Sequence, residues 1–199
     1  MAAALARFYN QSFDARPYTT LALSNSALSV IGDCLAQASQ LAVRRTAKDG
    51  ETVRYDPLRS VRFAIFGFAM GPFMGRWVKF LEQKFPMHSG NTSTGNLIAL
   101  TKRVASDQAV MAPVGIGAFL GSMGVMERRH PDEIALKYRD LYIPAILTNW
   151  KIWPVIQFVN FKFVPLPFRV PFQSTCGCFW TLYLSLLNSS DNREHPRRD

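Results

Sequence analysis

The sequence predicts an all-α protein, a polytopic membrane helical bundle of about four spans with kinked or interfacial helices. Three observations predict it. Apolar residues make up 48% of the 199 and charged residues only 19%, a balance that excludes disorder for most of the length. Two stretches without a charge, Ala109 to Met126 and Val170 to Ser190, approach or reach the roughly 20 helical residues that cross a hydrocarbon core about 30 Å thick. The basic residues lie between apolar runs: Arg44 to Arg62, then Arg76, Lys79 and Lys84, then Arg128 and Arg129. Loops and interfaces of a membrane protein need cations there. A nucleic-acid binder would gather them on one face, so the net charge of +9 raises no expectation of a nucleic-acid partner.

The elements follow in chain order. Residues 1–16 form an N-terminal segment without a compact apolar signal core, a faint mitochondrial presequence with Arg7, Arg16 and Asp14. Residues 17–190 form one integral membrane domain, and 191–199 a polar tail. The first candidate span starts at Pro17 and meets Asp33 midway; the second, Phe63 to Gly75, is short but flanked by Arg59, Arg62, Arg76 and Lys79, whose long side chains can snorkel. Ala109 to Met126 and Val170 to Ser190 complete the set, with Asn149 to Arg169 as a further aromatic segment. Pro113, Pro144 and Pro154 should kink helices or mark their starts, neighbours satisfying the freed carbonyls. Pro165 and Pro167 should end the Asn149 helix. The intervening runs, around residues 44–57, 84–96 and 127–140, have loop composition.

A mean hydropathy of only +0.01 is low for such a protein, and the placement of the polar residues explains it. At about 100° per residue, Ser26, Ser29, Asp33, Gln37 and Gln40 share one helical face, and Trp150, Trp153, Gln157, Asn160 and Val164 share another. Lys151 and Lys162 fall elsewhere, about 16 Å apart along the axis, and should snorkel or pair with a carboxylate. Lipid accepts neither polar stripe, so both should face protein or water. Asp33 has two readings that the sequence leaves open: pore lining, or a structural pair with Arg59 or Arg62. Gly67, Gly71 and Gly75 repeat every fourth residue, as do Gly117 and Gly121, a spacing that lets helices approach closely where lipid supplies no hydrophobic drive.

Catalytic and metal-binding patterns are absent. His88, His130 and His195 are dispersed, and Cys34, Cys176 and Cys178 suit neither a disulfide framework nor a metal site. No phosphate-binding glycine loop or nucleophile elbow occurs. The sequence therefore carries no expectation of an enzyme, a cofactor or a metal.

The segment Asn149 to Arg169 with its sequel resembles the Mpv-seventeen family, which includes the twenty-two-kilodalton peroxisomal membrane protein and the fungal Sym proteins. The residues that carry the likeness are Trp150, Trp153, Pro154, Gln157, Asn160, Phe161, Val164, Pro165 and Arg169, then Trp180, Tyr183, Leu184 and Ser185. Earlier matches include Gly32, Asp33, Gln37, Asp56, Arg59, Arg62, Gly67, Gly71, Pro72, Trp77, Asp107, Gln108 and Pro113. Gly75 and Val78 stand where many members carry His and Tyr. The resemblance implies a small integral protein of the mitochondrial inner or the peroxisomal membrane, drawn with four spans. It also implies a weakly selective channel for small solutes that supports mitochondrial homeostasis; the alternative is a non-conducting membrane scaffold or stress-response adaptor, whose polar residues merely cross-link helices. The candidate pore-lining or bundle-interior residues are therefore Asp33, Gln37, Asp107, Gln108, Trp150, Trp153, Gln157 and Asn160. The mitochondrial inner membrane is the favoured address, on Arg7, Arg16 and the family's habit. The lipid bilayer is the expected partner, with a homo-oligomer or larger membrane complex left open. The Arg44–Arg62 connection, six basic residues against three acidic, belongs on the matrix or cytosolic side.

Overall fold

A computed structural model describes residues 2–45, 54–87 and 93–194. His88, His195, positions 46–53 of the basic connection and the end of the polar tail lie outside the described residues. So do the side chains of Arg44, Arg45, Tyr183, Leu184 and Ser185.

Among the described residues every regular element is a helix: α1 (Ala2–Ala15), α2 (Pro17–Arg45), α3 (Pro57–Lys84), α4 (Ser93–Ser106), a wider π-type turn (Asp107–Met111), α5 (Ala112–Met126), α6 (Pro131–Phe163) and α7 (Leu166–Glu194). Proline sets several starts. Pro17, Pro57 and Pro131 each open a helix, where a missing N–H costs nothing and the fixed φ helps. His130 before Pro131 is extended, with φ −65° and ψ 146°, as a residue ahead of proline should be. Asp56 caps α3, its Oδ1 accepting from the N–H groups of Leu58 at 3.0 Å and Arg59 at 3.2 Å. The α6–α7 break falls at Val164 and Pro165, where the sequence expects it. A new helix then starts at once, with Pro167 harmless in its first turn.

The π-type turn has a local cause. Pro113 lacks an N–H, and its ring would collide with the carbonyl four residues back. The chain widens by one residue instead, and Ala112 N–H bonds to Asp107 O, five residues away. Pro144, Pro154 and Pro72 lie inside helices.

The α5–α6 turn closes as a Schellman motif. Arg129 N–H bonds to Gly124 O at 3.1 Å and Arg128 N–H to Val125 O at 3.0 Å. Arg128 takes the left-handed position at φ 53°, where glycine is usual.

The chain gathers into two compact units, Met1–Pro72 with Ser174–Asp199, and Phe73–Gln173. In the first, α2 and the start of α3 touch backbone to backbone. A Cβ on Gly71 would stand 2.4 Å from Leu21 O, and one on Gly67 2.8 Å from Asn25 O. Asn25 Nδ2 donates to Gly67 O at 2.7 Å and Ser26 Oγ to Ala64 O at 2.9 Å. Cys178 of α7 fills the notch at Gly32 and bonds to Leu28 O at 3.3 Å. In the second unit, Val78, Leu81, Leu100 and Phe161 form an apolar core. Gly117 and Gly121 here meet a side chain rather than a backbone: Tyr138 lies against both and donates to Gly117 O. Gly75 is half-buried.

Both units are polar inside and apolar outside. Leu23, Ile31, Leu35, Ile65 and Phe68 of the first are exposed, while Asn25, Asp33, Gln37 and Ser60 are buried. In the second, Phe73, Phe80, Ile143, Leu147, Val155 and Phe163 are exposed while Arg103, Asp107, Gln157, Asn160 and Arg169 are buried. That inversion suits lipid contact. One described helix passes the length and hydropathy test for a membrane span by itself, Ser93–Met126. It contains the expected Ala109–Met126 segment. α2, α3, α6 and α7 are long enough to cross but not apolar enough by composition; part of that polarity is buried, at Asn25, Asp33, Gln37, Ser60, Gln157, Asn160, Arg169 and Gln173.

Candidate functional site

In the first unit the polar face of α2 is organised around Asp33, which is 1% exposed. Its Oδ2 accepts from Ser60 Oγ at 2.7 Å and Gln37 Nε2 at 2.8 Å. Its Oδ1 lies 2.8 Å from Arg59 Nε, an ion pair without the alignment of a hydrogen bond. Arg62, the other arginine weighed as its partner, stands 3.8 Å from Asp56 instead. Gln37 ties the cluster to the start of α3: its Oε1 accepts from Asp56 N–H at 2.7 Å and its Nε2 also reaches Asp56 O at 3.0 Å. Because the Ser60 proton goes to Asp33, the 2.8 Å contact between Tyr55 and Ser60 must be donated by the Tyr55 hydroxyl.

The second unit has its own buried carboxylate. Within the π-type turn Asp107 and its neighbour Gln108 both face the interior. Asp107 accepts three N–H bonds, from Trp77 Nε1 at 3.0 Å, Gln157 Nε2 at 2.8 Å and Gln108 Nε2 at 3.0 Å. Asn160 Nδ2 extends the chain to Gln157 Oε1 at 3.1 Å. The same turn explains Trp150. Under the wider repeat, the carbonyl of Gln108 would pair with the N–H of residue 113, and Pro113 has none. Trp150 Nε1 supplies the missing donor at 3.1 Å. Trp150 is nonetheless 46% exposed, so its ring faces outward while its N–H reaches in. Tyr142 Oη donates to Pro113 O at 3.2 Å.

Not every interior polar atom is matched. Asn149 Oδ1, Trp153 Nε1 and Asn160 Oδ1 are buried without a hydrogen-bond partner, as are Gln108 Oε1 and both amide atoms of Gln173. On α6, Asn149, Trp153 and Asn160 fall within about 40° of arc and span about 16 Å of axis. Lys151 and Lys162 are exposed, Lys162 lying over the rings of Phe158 and Phe163 at 5.5 and 5.0 Å.

The eight sequence-predicted residues therefore separate into two places. Asp33 and Gln37 bond to one another in the first unit; Asp107, Gln108, Trp150, Gln157 and Trp153 lie with Asn160 in the second. Sequence reasoning overlooked Ser60, Tyr138, Tyr142 and Arg103. Arg103 carried a signal, being one of only two charges, with Asp107, between Arg103 and Met126. Among the described residues no group of His, Cys, Asp or Glu gathers to hold a metal.

Comparison with known proteins gives a consistent result. Residues 124–185 match the Mpv17 / PMP22 family. Protein sym1 of Schizosaccharomyces pombe is 34% identical over 94% of this chain and 92% of its own. Protein sym-1 of Neurospora crassa is 38% identical over 91% and 97%. PXMP2/4 family protein 4 of Dictyostelium discoideum is 34% identical over 87% and 88%. No solved structure matches the chain.

Proposed function

The chain belongs to the Mpv17 / PMP22 family of integral membrane proteins, and from that premise we propose that it is a weakly selective channel for small solutes, serving mitochondrial homeostasis. The observation that carries this reading is the stripe of unmatched polar atoms on α6. Buried polar groups are paired almost without exception, with protein or with water. Asn149 Oδ1, Trp153 Nε1 and Asn160 Oδ1 have no protein partner, so water is the remaining one. A wetted line about 16 Å long is half the thickness of a hydrocarbon core.

About four of the five long helices cross the membrane in this reading. At about 1.5 Å per residue each of them exceeds 40 Å, more than the core requires, which leaves room for tilt and for ends in the interface. The mitochondrial inner membrane is the proposed location and the peroxisomal membrane the second, on the basic residues Arg7 of α1 and Arg16 just after it. A fluorescent fusion found with peroxisomes alone would reverse that order.

A second reading, a non-conducting scaffold, is favoured by a different observation. Asp33 and Asp107 are both enclosed by neighbours, as residues that cross-link helices would be. Purified protein in planar bilayers separates the two. Conductance above that of empty membranes supports the channel; its absence at every voltage and pH supports the scaffold.

A further inference from the structure

Arg103 and Arg169 are the most deeply buried cations of the second unit, 1% and 5% exposed. A guanidinium has five N–H donors and keeps its charge in proteins. Arg103 comes from α4 and caps the end of α3, Nε donating to Phe85 O at 2.9 Å and Nη2 reaching Glu82 O at 3.4 Å. Arg169, in the first turn of α7, caps the end of α6 through Nε and Val164 O at 3.0 Å, with the Phe161 ring 5.8 Å from its centre. Capping accounts for those atoms and leaves others over. The Nη1 of each arginine is buried without a hydrogen-bond partner.

Among the described residues one carboxylate answers the two cations. Glu82 Oε1 stands 3.4 Å from Arg169 Nη1, not aligned as a hydrogen bond, and the Glu82 side chain is 37% exposed. Its own backbone carbonyl is the one Arg103 reaches. Two guanidiniums thus converge on one residue, and among the described residues the cluster keeps one positive charge in excess. Burial of an unpaired charge is unfavourable unless something compensates it.

We propose that Arg103 and Arg169 form a binding site for a phosphate group, with the Glu82 carboxylate as its displaceable plug. A planar carboxylate anchored on α3 reaches only one arginine. A tetrahedral phosphate offers acceptors in several directions, so it can take both Nη1 donors and keep an oxygen toward the opening where Glu82 meets solvent. Glu82 is exposed enough to swing aside. The phosphate has two sources. Arg103 follows Lys102 and precedes the apolar part of Ser93–Met126, the level of a lipid headgroup, and a free phosphate could approach from water. The site does not depend on whether the protein conducts.

The test is the unfolding temperature of the purified full chain. In detergent, inorganic phosphate is titrated against chloride at constant ionic strength; in parallel, nanodiscs of phosphatidylcholine are compared with nanodiscs containing phosphatidic acid. A saturable rise with inorganic phosphate identifies a free phosphate, and a rise with phosphatidic acid alone identifies a headgroup. Arg103→Gln and Arg169→Gln should each weaken the response about tenfold. Should either fail to fold, Glu82→Gln still decides: removing the plug should strengthen the response about threefold or more. The proposal is overturned if neither probe shifts the wild type, if a folded arginine variant responds like the wild type, or if Glu82→Gln leaves the response unchanged.

Discussion

Removing Arg59 should cost more than removing it together with the charge it faces. Asp33 is buried, and Arg59 Nε lies 2.8 Å from its Oδ1. Breaking a buried pair from one side typically costs about 3–5 kcal/mol, because a charge stays behind in a poor solvent. Two features reduce that here: Arg59 is about one-third exposed, and Asp33 keeps the bonds from Ser60 and Gln37. Arg59→Met should therefore cost about 2–3 kcal/mol. Asp33→Asn should cost about 1–2 kcal/mol, as two charge-assisted bonds become neutral ones; Arg59 can turn to water. The double variant leaves no stranded charge and should fall near Asp33→Asn alone, a coupling of about 2 kcal/mol. Denaturant unfolding of the four proteins in one detergent measures the cycle. An Arg59→Met cost below about 0.5 kcal/mol, or additive costs, would refute the pairing argument.

Other outcomes follow from local geometry. Gly71→Ala should cost about 1–3 kcal/mol, since its Cβ would lie 2.4 Å from the Leu21 carbonyl; Gly115→Ala, with nothing within 4 Å, should gain about 0.5–1 kcal/mol, both read from thermal unfolding. Arg128→Gly should stabilise by about 0.5–1 kcal/mol, because φ 53° is free of penalty for glycine; an unchanged melting temperature would count against it. Trp150→Phe should cost about 1–3 kcal/mol by stranding the Gln108 carbonyl, and less in a Pro113→Ala background, where residue 113 regains an N–H. In the turn beyond α5, the hydrogen bond from Arg129, aided by Lys137, holds the Glu127 carboxyl below its usual range against a smaller effect of burial. A depressed folded value means that this stabilisation is complete above the unfolded pKa of about 4.3 and disappears as pH falls through the folded value. Glu127→Gln should flatten that part of a stability–pH curve.

The helices were legible because proline and glycine mark their limits and their contacts. Pro17 and the Val164–Pro165 break stand where proline rules place them, and Gly67 and Gly71 meet a backbone as their spacing implied; the run 127–140, of loop composition, is instead helical from Pro131 onward. Gly117 and Gly121 show the limit of that reasoning. The same spacing there receives Tyr138, and spacing alone does not say what enters the groove. The buried carboxylate of the second unit was legible only through resemblance, since its position depends on a wider turn caused by a proline six residues later. Arg103 was missed for a related reason. A lone cation at the edge of an apolar run reads as an interfacial anchor, and only the ends of α3 and α6, distant in sequence, supply the carbonyls that let arginines be buried here. A hydropathy average is blind to direction in the same way. Polar residues lower the average of α2, α3, α6 and α7 wherever they point, yet an inward polar residue costs lipid nothing. Lipid meets the outward face of a helix, and on α2, α3 and α6 that face carries Ile31, Leu35, Ile65, Phe68, Ile143, Leu147 and Val155.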